Sequence, residues 1–281
     1  MPTQIPSVAT FTAPGVVFPG DPRKSPTEAV VFWLRRDIVR GVFEPLERLK
    51  VEQLSEFYGV GHTPIREAIN RLSATGLIVH EHQKGHRVAP VSVEDYNDVL
   101  LVYQRLRMLA LDLAMERGDD AWEERVVVQL HRTMKVRPVP RDQDPEVREL
   151  WQRAYGDLQG ELVNGCGSPL LVRLFRNVGA RAERYGLLFA DLSSDLERDH
   201  AAESQRMVEA LIARDAARVQ ALLDESGALA RPVRDSVVAA LKRRGESSRK
   251  PRRVAKPSGE GAPRPRGRPR LAEADKKASK K

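Results

Sequence analysis

The run Gly59–Leu77, GVGHTPIREAINRLSATGL, places His62, Thr63, Pro64 and Arg66 at the start of one helical stretch. A Thr hydroxyl and the free N–H groups of a helix start bind phosphate. An Arg there can donate two parallel bonds to guanine O6 and N7, or clamp a phosphate. A second run, HQKGHR at 82–87, sets Lys84, Gly85 and His86 in a tight turn as donors for a minor-groove or backbone contact. A third, PRPRGRPR at 263–270, threads Arg266 and Arg268 around Gly267. Proline keeps such a backbone extended and glycine lets it approach a groove floor. The arginines then lie along a narrow A·T minor groove, where the negative potential is strongest. All three runs point to double-stranded DNA, read in two grooves.

The elements that must position these groups follow from periodicity. Residues 1–26 are rich in Pro, Thr, Ala and Gly, so a flexible leader is expected. Val31, Leu34 and Ile38 recur at helical spacing and Gly41 stops the run; Val51–Tyr58 reads as a second short helix closed by Gly59. Thr63 is expected as the N-cap of a third, with Pro64 at its first position and Ile65, Ile69 and Leu72 on its apolar face. Leu77–His80 and His86–Ala89 read as two strands around Gly85. Three helices and a two-stranded ribbon are the plan of a winged helix-turn-helix, expected over 27–92.

After Pro90 strand patterns disappear. Amphipathic helices are expected at about Val93–Arg117, Ala121–Lys135, Pro145–Val163, Pro169–Phe189, Ser194–Ala213 and Ala216–Leu241. In the first, Val99, Val102 or Tyr103, Leu106, Leu109 and Leu113 are placed on one face. The fold class is therefore mainly α: the winged head, then an all-α bundle of six or seven helices over 93–241.

Charge is unevenly spread. The 281 residues carry a net +8, yet residues 242–281 hold 16 basic and 4 acidic side chains and residues 1–241 hold 31 and 35. The high isoelectric point belongs to the tail, expected to be disordered. One cysteine, Cys166, excludes an intrachain disulfide framework and suits a reduced cytoplasmic protein. No apolar run approaches the roughly 20 residues needed to cross a bilayer, and no signal peptide is evident.

The stretch LRRDIVRGVFEPLERLKVEQLSEFYGVGHTPIREAINRLSATGLIVHEHQKGHRVAPVSVEDY resembles the GntR family of bacterial transcription regulators. That family's recognition segment reads close to G-V-S-R-T-P-V-R-E-A-L. Gly61 stands in place of its Ser and His62 in place of its Arg. Histidine near neutral pH is mostly uncharged and reaches less far, so the contact is expected to rest on Thr63 and Arg66. Pro265–Pro269 is similar to an AT-hook core letter for letter. Such a hook would add affinity with little sequence choice and offset the His62 change.

GCGSPLLVRLF and ESQRMVEALIARDAARVQALL resemble two landmarks of the FCD effector domain of the FadR-like branch. The resemblance implies a dimerising bundle that takes a small carboxylate or acyl effector, in many members through a divalent metal on one Asp and three His. Counting from the landmarks, those four positions fall on Tyr155, Gln159, Ser204 and Ser226, none able to replace an Asp/His₃ set. No metal or cofactor is then expected. The four residues would line a cavity as neutral hydrogen-bonding groups, with Arg105 or Arg107 holding an anionic effector. Asp157 and His200 sit out of register with that face.

His131 stands alone on a helix and Cys166 lies between two glycines. No nucleophile–base pair, phosphate-cradling loop or carboxylate pair supports an enzyme. The expected protein is a ligand-responsive homodimeric transcription regulator, repressor or activator, on a pseudo-palindromic operator. The alternative is an architectural DNA-binding protein whose bundle only dimerises.

Overall fold

The computed structural model describes residues 24–83, 85–136, 145–189 and 198–249. Helix α1 spans Pro26–Arg40 and buries Val30, Leu34 and Ile38 along one stripe. It ends at Gly41, whose φ of 77° is left-handed; the Gly41 and Val42 N–H groups bond the carbonyls of Ile38 and Asp37. Strand β1 (Arg48–Leu49) precedes α2 (Val51–Tyr58), and Gly59, φ 65°, turns the chain into α3 (His62–Ser73). Helix α3 begins two residues before the expected start. Gly61 is the N-cap, with no side-chain bond, and Thr63 and Pro64 both lie inside the first turn. That turn has no intrahelical acceptor for its N–H groups, so Pro64 is tolerated there. Strands β2 (Ile78–Glu81) and β3 (Gly85–Val88) form the ribbon, and β1 joins β3 to make a sheet ordered β1-β3-β2. A two-residue strand has too little length to show a period, which is why β1 was not expected.

The bundle holds α4 (Val93–Arg117), α5 (Asp120–Met134), α6 (Pro145–Asn164), α7 (Pro169–Phe189), α8 (His200–Ile212), α9 (Ala216–Leu229) and α10 (Arg231–Arg249). The single helix expected over Ala216–Leu241 is two. Pro232 has no N–H and its ring would strike the carbonyl of residue 228, so it is admitted only in the first turn of a new helix. Helix α10 then runs on through residues expected to belong to the tail. On α4 the buried line is Tyr96, Val99, Ala110, Leu111 and Ala114, with Tyr103 stacked on Phe175 of α7 at 4.9 Å. Val102 and Leu109 are exposed instead of buried, because small Ala110 and Ala114 take the contact side.

Trp122 is the largest side chain in the bundle core. Its indole Nε1 donates to the Glu161 carbonyl at 2.9 Å, which locks α5 to α6. Helix α7 is shared between head and bundle. Its Ala180 sits in the apolar core of the head, and Arg35 of α1 donates to the Arg176 carbonyl at 3.1 Å. Arg184 of α7 donates to the Ala89 carbonyl at 2.8 Å, and Tyr185 donates to Asp95 at 2.6 Å. Arg181 completes the clamp on Asp95 at 2.5 Å.

Two glycines in this region predict opposite responses to the same change. A Cβ on Gly165 would lie 2.5 Å from the Trp122 ring, whereas one on Gly156 in α6 meets nothing within 4 Å. Gly165→Ala should destabilise the protein by about 1–3 kcal/mol through overpacking. Gly156→Ala should stabilise it by roughly 0.5–1 kcal/mol through helix propensity. Urea unfolding of the two variants measures both.

Candidate nucleic-acid interface and ligand cavity

The turn between α2 and α3 is held by Ser55, whose hydroxyl donates to the Val60 carbonyl at 2.5 Å. This leaves the start of α3 projecting. His62, Thr63 and Arg66 are exposed there, and Pro64 is half-buried above Ile65. Arg66 makes no ion pair among the described residues. Its sequence neighbour Glu67 accepts instead from Thr27 Oγ1 at 2.8 Å, and Arg71 pairs with Glu28. Helix α1 therefore answers the charges on one flank of α3 and leaves Arg66 open. Asn70, one turn beyond Arg66, is also exposed. It was missed in the sequence, where its spacing of four from Arg66 was the available signal, and an Asn can bond adenine N6 and N7.

The wing turn closes between Glu81 and Gly85, which pair across the ribbon; Gln83 and Gly85 are left-handed, at φ 63° and 81°. His80 and His86 face each other with ring centroids 4.9 Å apart. Burial, and then His80, hold the His86 imidazole below its ordinary pKa, so it is neutral near pH 7. Arg87 is not available to DNA as a free cation, since it bonds the Leu46 carbonyl at 2.9 Å and Glu81 at 3.3 Å. Arg48 of β1 brings its guanidinium close to Gly85 and adds a charge to the wing that only the pairing of β1 with β3 reveals. Lys84, and Arg266, Gly267 and Arg268 of the hook, lie outside the described residues.

In the bundle, Tyr155 and Gln159 of α6, Ser204 of α8 and Ser226 of α9 line one cavity together with Arg107 of α4. Four helices thus bring together the residues that the two sequence landmarks identified separately. Arg105 does not join them. It is exposed on the other side of α4, between the exposed Leu101 and Leu109. His200 stays out of the wall too. It is buried at the start of α8, edge-on to Trp151 and Tyr155 at 5.1 and 5.8 Å.

The four landmark positions supply a phenol, an amide and two hydroxyls to the cavity wall, all neutral. Among the described residues no group of three or more His, Cys, Asp or Glu converges anywhere. This set does not fit a divalent metal of the Asp/His₃ kind, which needs anionic and imidazole ligands. Three charged residues in the wall were missed: Glu203, Arg206 and Glu225. Arg206 and Glu225 form a two-bond pair at 3.0 Å across α8 and α9, a juxtaposition no local pattern encodes. Glu203 is bonded by Arg198 at 3.0 Å. Arg107 is half-buried and makes no hydrogen bond or ion pair among the described residues. The cavity measures about 20 Å³, room for about one water.

No helix among the described residues is long and apolar enough to cross a membrane. Residues 26–88 match the family model for bacterial regulatory proteins of the gntR family, and residues 98–226 match that for the FCD domain. The HTH-type transcriptional repressor GlaR of Escherichia coli (strain K12) is 31% identical over 194 residues, covering 68% of this chain and 87% of that protein. The HTH-type transcriptional regulator BphR of Paraburkholderia xenovorans (strain LB400) is 30% identical over 71% of this chain and 81% of its own length. Among solved structures, E. coli McbR/YncC covers 79% of this chain and 99% of its own with a TM-score of 0.59 at 19% identity. A putative GntR regulator from Rhodococcus sp. RHA1 reaches 0.55 at 20% identity, over 78% and 98%. Both share the fold. GlaR, BphR and the Rhodococcus protein are named as regulators of transcription. The chain is a member of the GntR family of bacterial transcription regulators, with a helix-turn-helix DNA-binding head followed by an FCD domain.

Proposed function

We propose that this regulator is a homodimeric repressor that binds a pseudo-palindromic operator and is released by a small organic acid held, without a metal, in the bundle cavity. A two-fold dimer reads a two-fold site. Leu101 and Leu109, exposed on one face of α4 around Arg105, offer apolar surface to a second copy. Repression follows the relative GlaR, a repressor by name. The observation that carries the effector reading is Arg107, an unanswered guanidinium facing four neutral hydrogen-bonding side chains. A carboxylate completes that set, since a guanidinium binds it through two parallel bonds. The reading of the bundle as a dimerisation module alone is favoured by the small volume of the cavity, but it leaves Arg107 without a role.

At the operator, His62, Thr63 and Arg66 meet the major groove, and Lys84, Gly85 and His86 the flanking backbone or minor groove. Arg266, Gly267 and Arg268 add a second, minor-groove contact. On a duplex selected by the full chain from random sequence, Arg66→Ala should cost about 1–3 kcal/mol and relax choice at one base position, read by fluorescence anisotropy. Removing residues 250–281 should weaken binding and flatten the dependence of log K on log salt. Equal affinity with and without the tail at two salt concentrations rejects the hook. Thermal unfolding across small carboxylates and divalent metals tests the cavity. A carboxylate should raise the midpoint of the native chain and not of Arg107→Met. A midpoint raised by zinc, nickel or manganese rejects the metal-free reading.

A further inference from the structure

The cavity is not isolated. An open cleft of about 560 Å³ lies beside it, and Glu203 and Arg206 line both. The Arg198–Glu203 bridge sits on the boundary. Arg198 belongs to the cleft wall, yet its Nη2 reaches the Ser226 hydroxyl in the cavity wall at 3.4 Å. The bridge is sheltered, its side chains 11% and 18% exposed, whereas those of Arg206–Glu225 are 41% and 45% exposed.

Charge separates the two spaces. In the cavity, Glu203 and Glu225 are each bonded to an arginine and Arg107 to none. In the cleft the charges answer one another or cap a helix: Arg198 is bonded to Glu203, Arg206 to Glu225, and Asp199 accepts from the Ala202 N–H at 2.9 Å. What remains of the cleft wall is Ala202, Ala228, Leu229 and Pro232. A space of about 20 Å³ takes only a group of one or a few atoms, so whatever is attached to that group must leave across the boundary.

We propose that the effector site is bipartite and takes a monocarboxylate with a short apolar chain. This rests on the effector reading above. The carboxylate sits on Arg107, the chain crosses the boundary where Glu203 gives way from Arg198, and its apolar end lies against Ala228, Leu229 and Pro232. No second anionic group is called for, because among the described residues each cation that lines the cleft has a carboxylate partner.

The test is isothermal titration of the full chain with acetate, butanoate, hexanoate and octanoate at constant ionic strength. Affinity should rise about two- to fourfold per added methylene as the chain enters the cleft. Leu229→Gln, a change at a half-exposed site that the fold tolerates, should remove that gain and leave acetate unaffected. Arg107→Met should remove binding at every length. Affinity that does not depend on chain length, but is still lost in Arg107→Met, overturns the bipartite site and leaves the effector reading standing. Binding indifferent to Arg107→Met, or binding of none of the four acids, overturns both.

Discussion

The structure depends on the clamp that α7 places on the segment joining head to bundle. Arg184 is buried and gives its Nη2 to the Ala89 carbonyl; burial pushes its pKa down, to about 10, which leaves it charged at neutral pH. A buried charge is costly to leave without a partner, so the backbone at Ala89 is not free to move away. A few residues on, Asp95 in the first turn of α4 takes both Arg181 and the Tyr185 hydroxyl. Burial and Asp95 raise the Tyr185 pKa, so the phenol stays protonated and donates. Three side chains on one stretch of α7 thus hold the exit of β3 and the entry of α4 in a fixed relation.

The same helix carries that relation into both domains. Towards the head, Ala180 and Leu187 enter its core, and Glu183, with its carboxyl pushed up by burial, lies between Arg35 and Arg40 of α1. Towards the bundle, Leu171 and Phe175 belong to the core built around Trp122. A shift of α7 is felt in α1, and α1 is the helix whose Glu28 and Thr27 hold Arg71 and Glu67 of the recognition helix. The cavity connects through α4, which carries Arg107 in its wall and Asp95 in the clamp. A ligand that changes the seating of α4 has a continuous packed route to Arg66. Such a route explains how the family's plan, a sensor behind a DNA reader, is physically joined in this chain.

The cavity shows how a site is altered while its fold is kept. Where the family landmarks place carboxylate and imidazole side chains, this chain has Tyr155, Gln159, Ser204 and Ser226, which keep hydrogen-bonding capacity without charge. Arg107 reaches the same wall because α4 buries Ala110 and Ala114 against its neighbours and so turns residue 107 towards α6 and α8.

The sequence by itself determined the element types, most element ends and the exposed start of α3. These are local properties: helical periodicity, left-handed glycines at 41, 59 and 85, and a Thr-Pro start exposed by a short turn. It also named Tyr155, Gln159, Ser204 and Ser226 of the cavity wall, and Arg107 as one of two alternatives, because helical register carries a family landmark over one or two turns; Glu203, Arg206 and Glu225 it did not name. Tertiary structure alone put Arg107 and not Arg105 in the cavity wall, since residues two apart on a helix point to opposite sides and only the neighbouring helices choose which side lines the cavity. It alone paired Arg48 with the wing, Arg206 with Glu225 and Arg198 with Glu203. Ion pairs and cavity walls between distant segments leave no period in the chain; they arise only when packing brings the segments within a few ångströms.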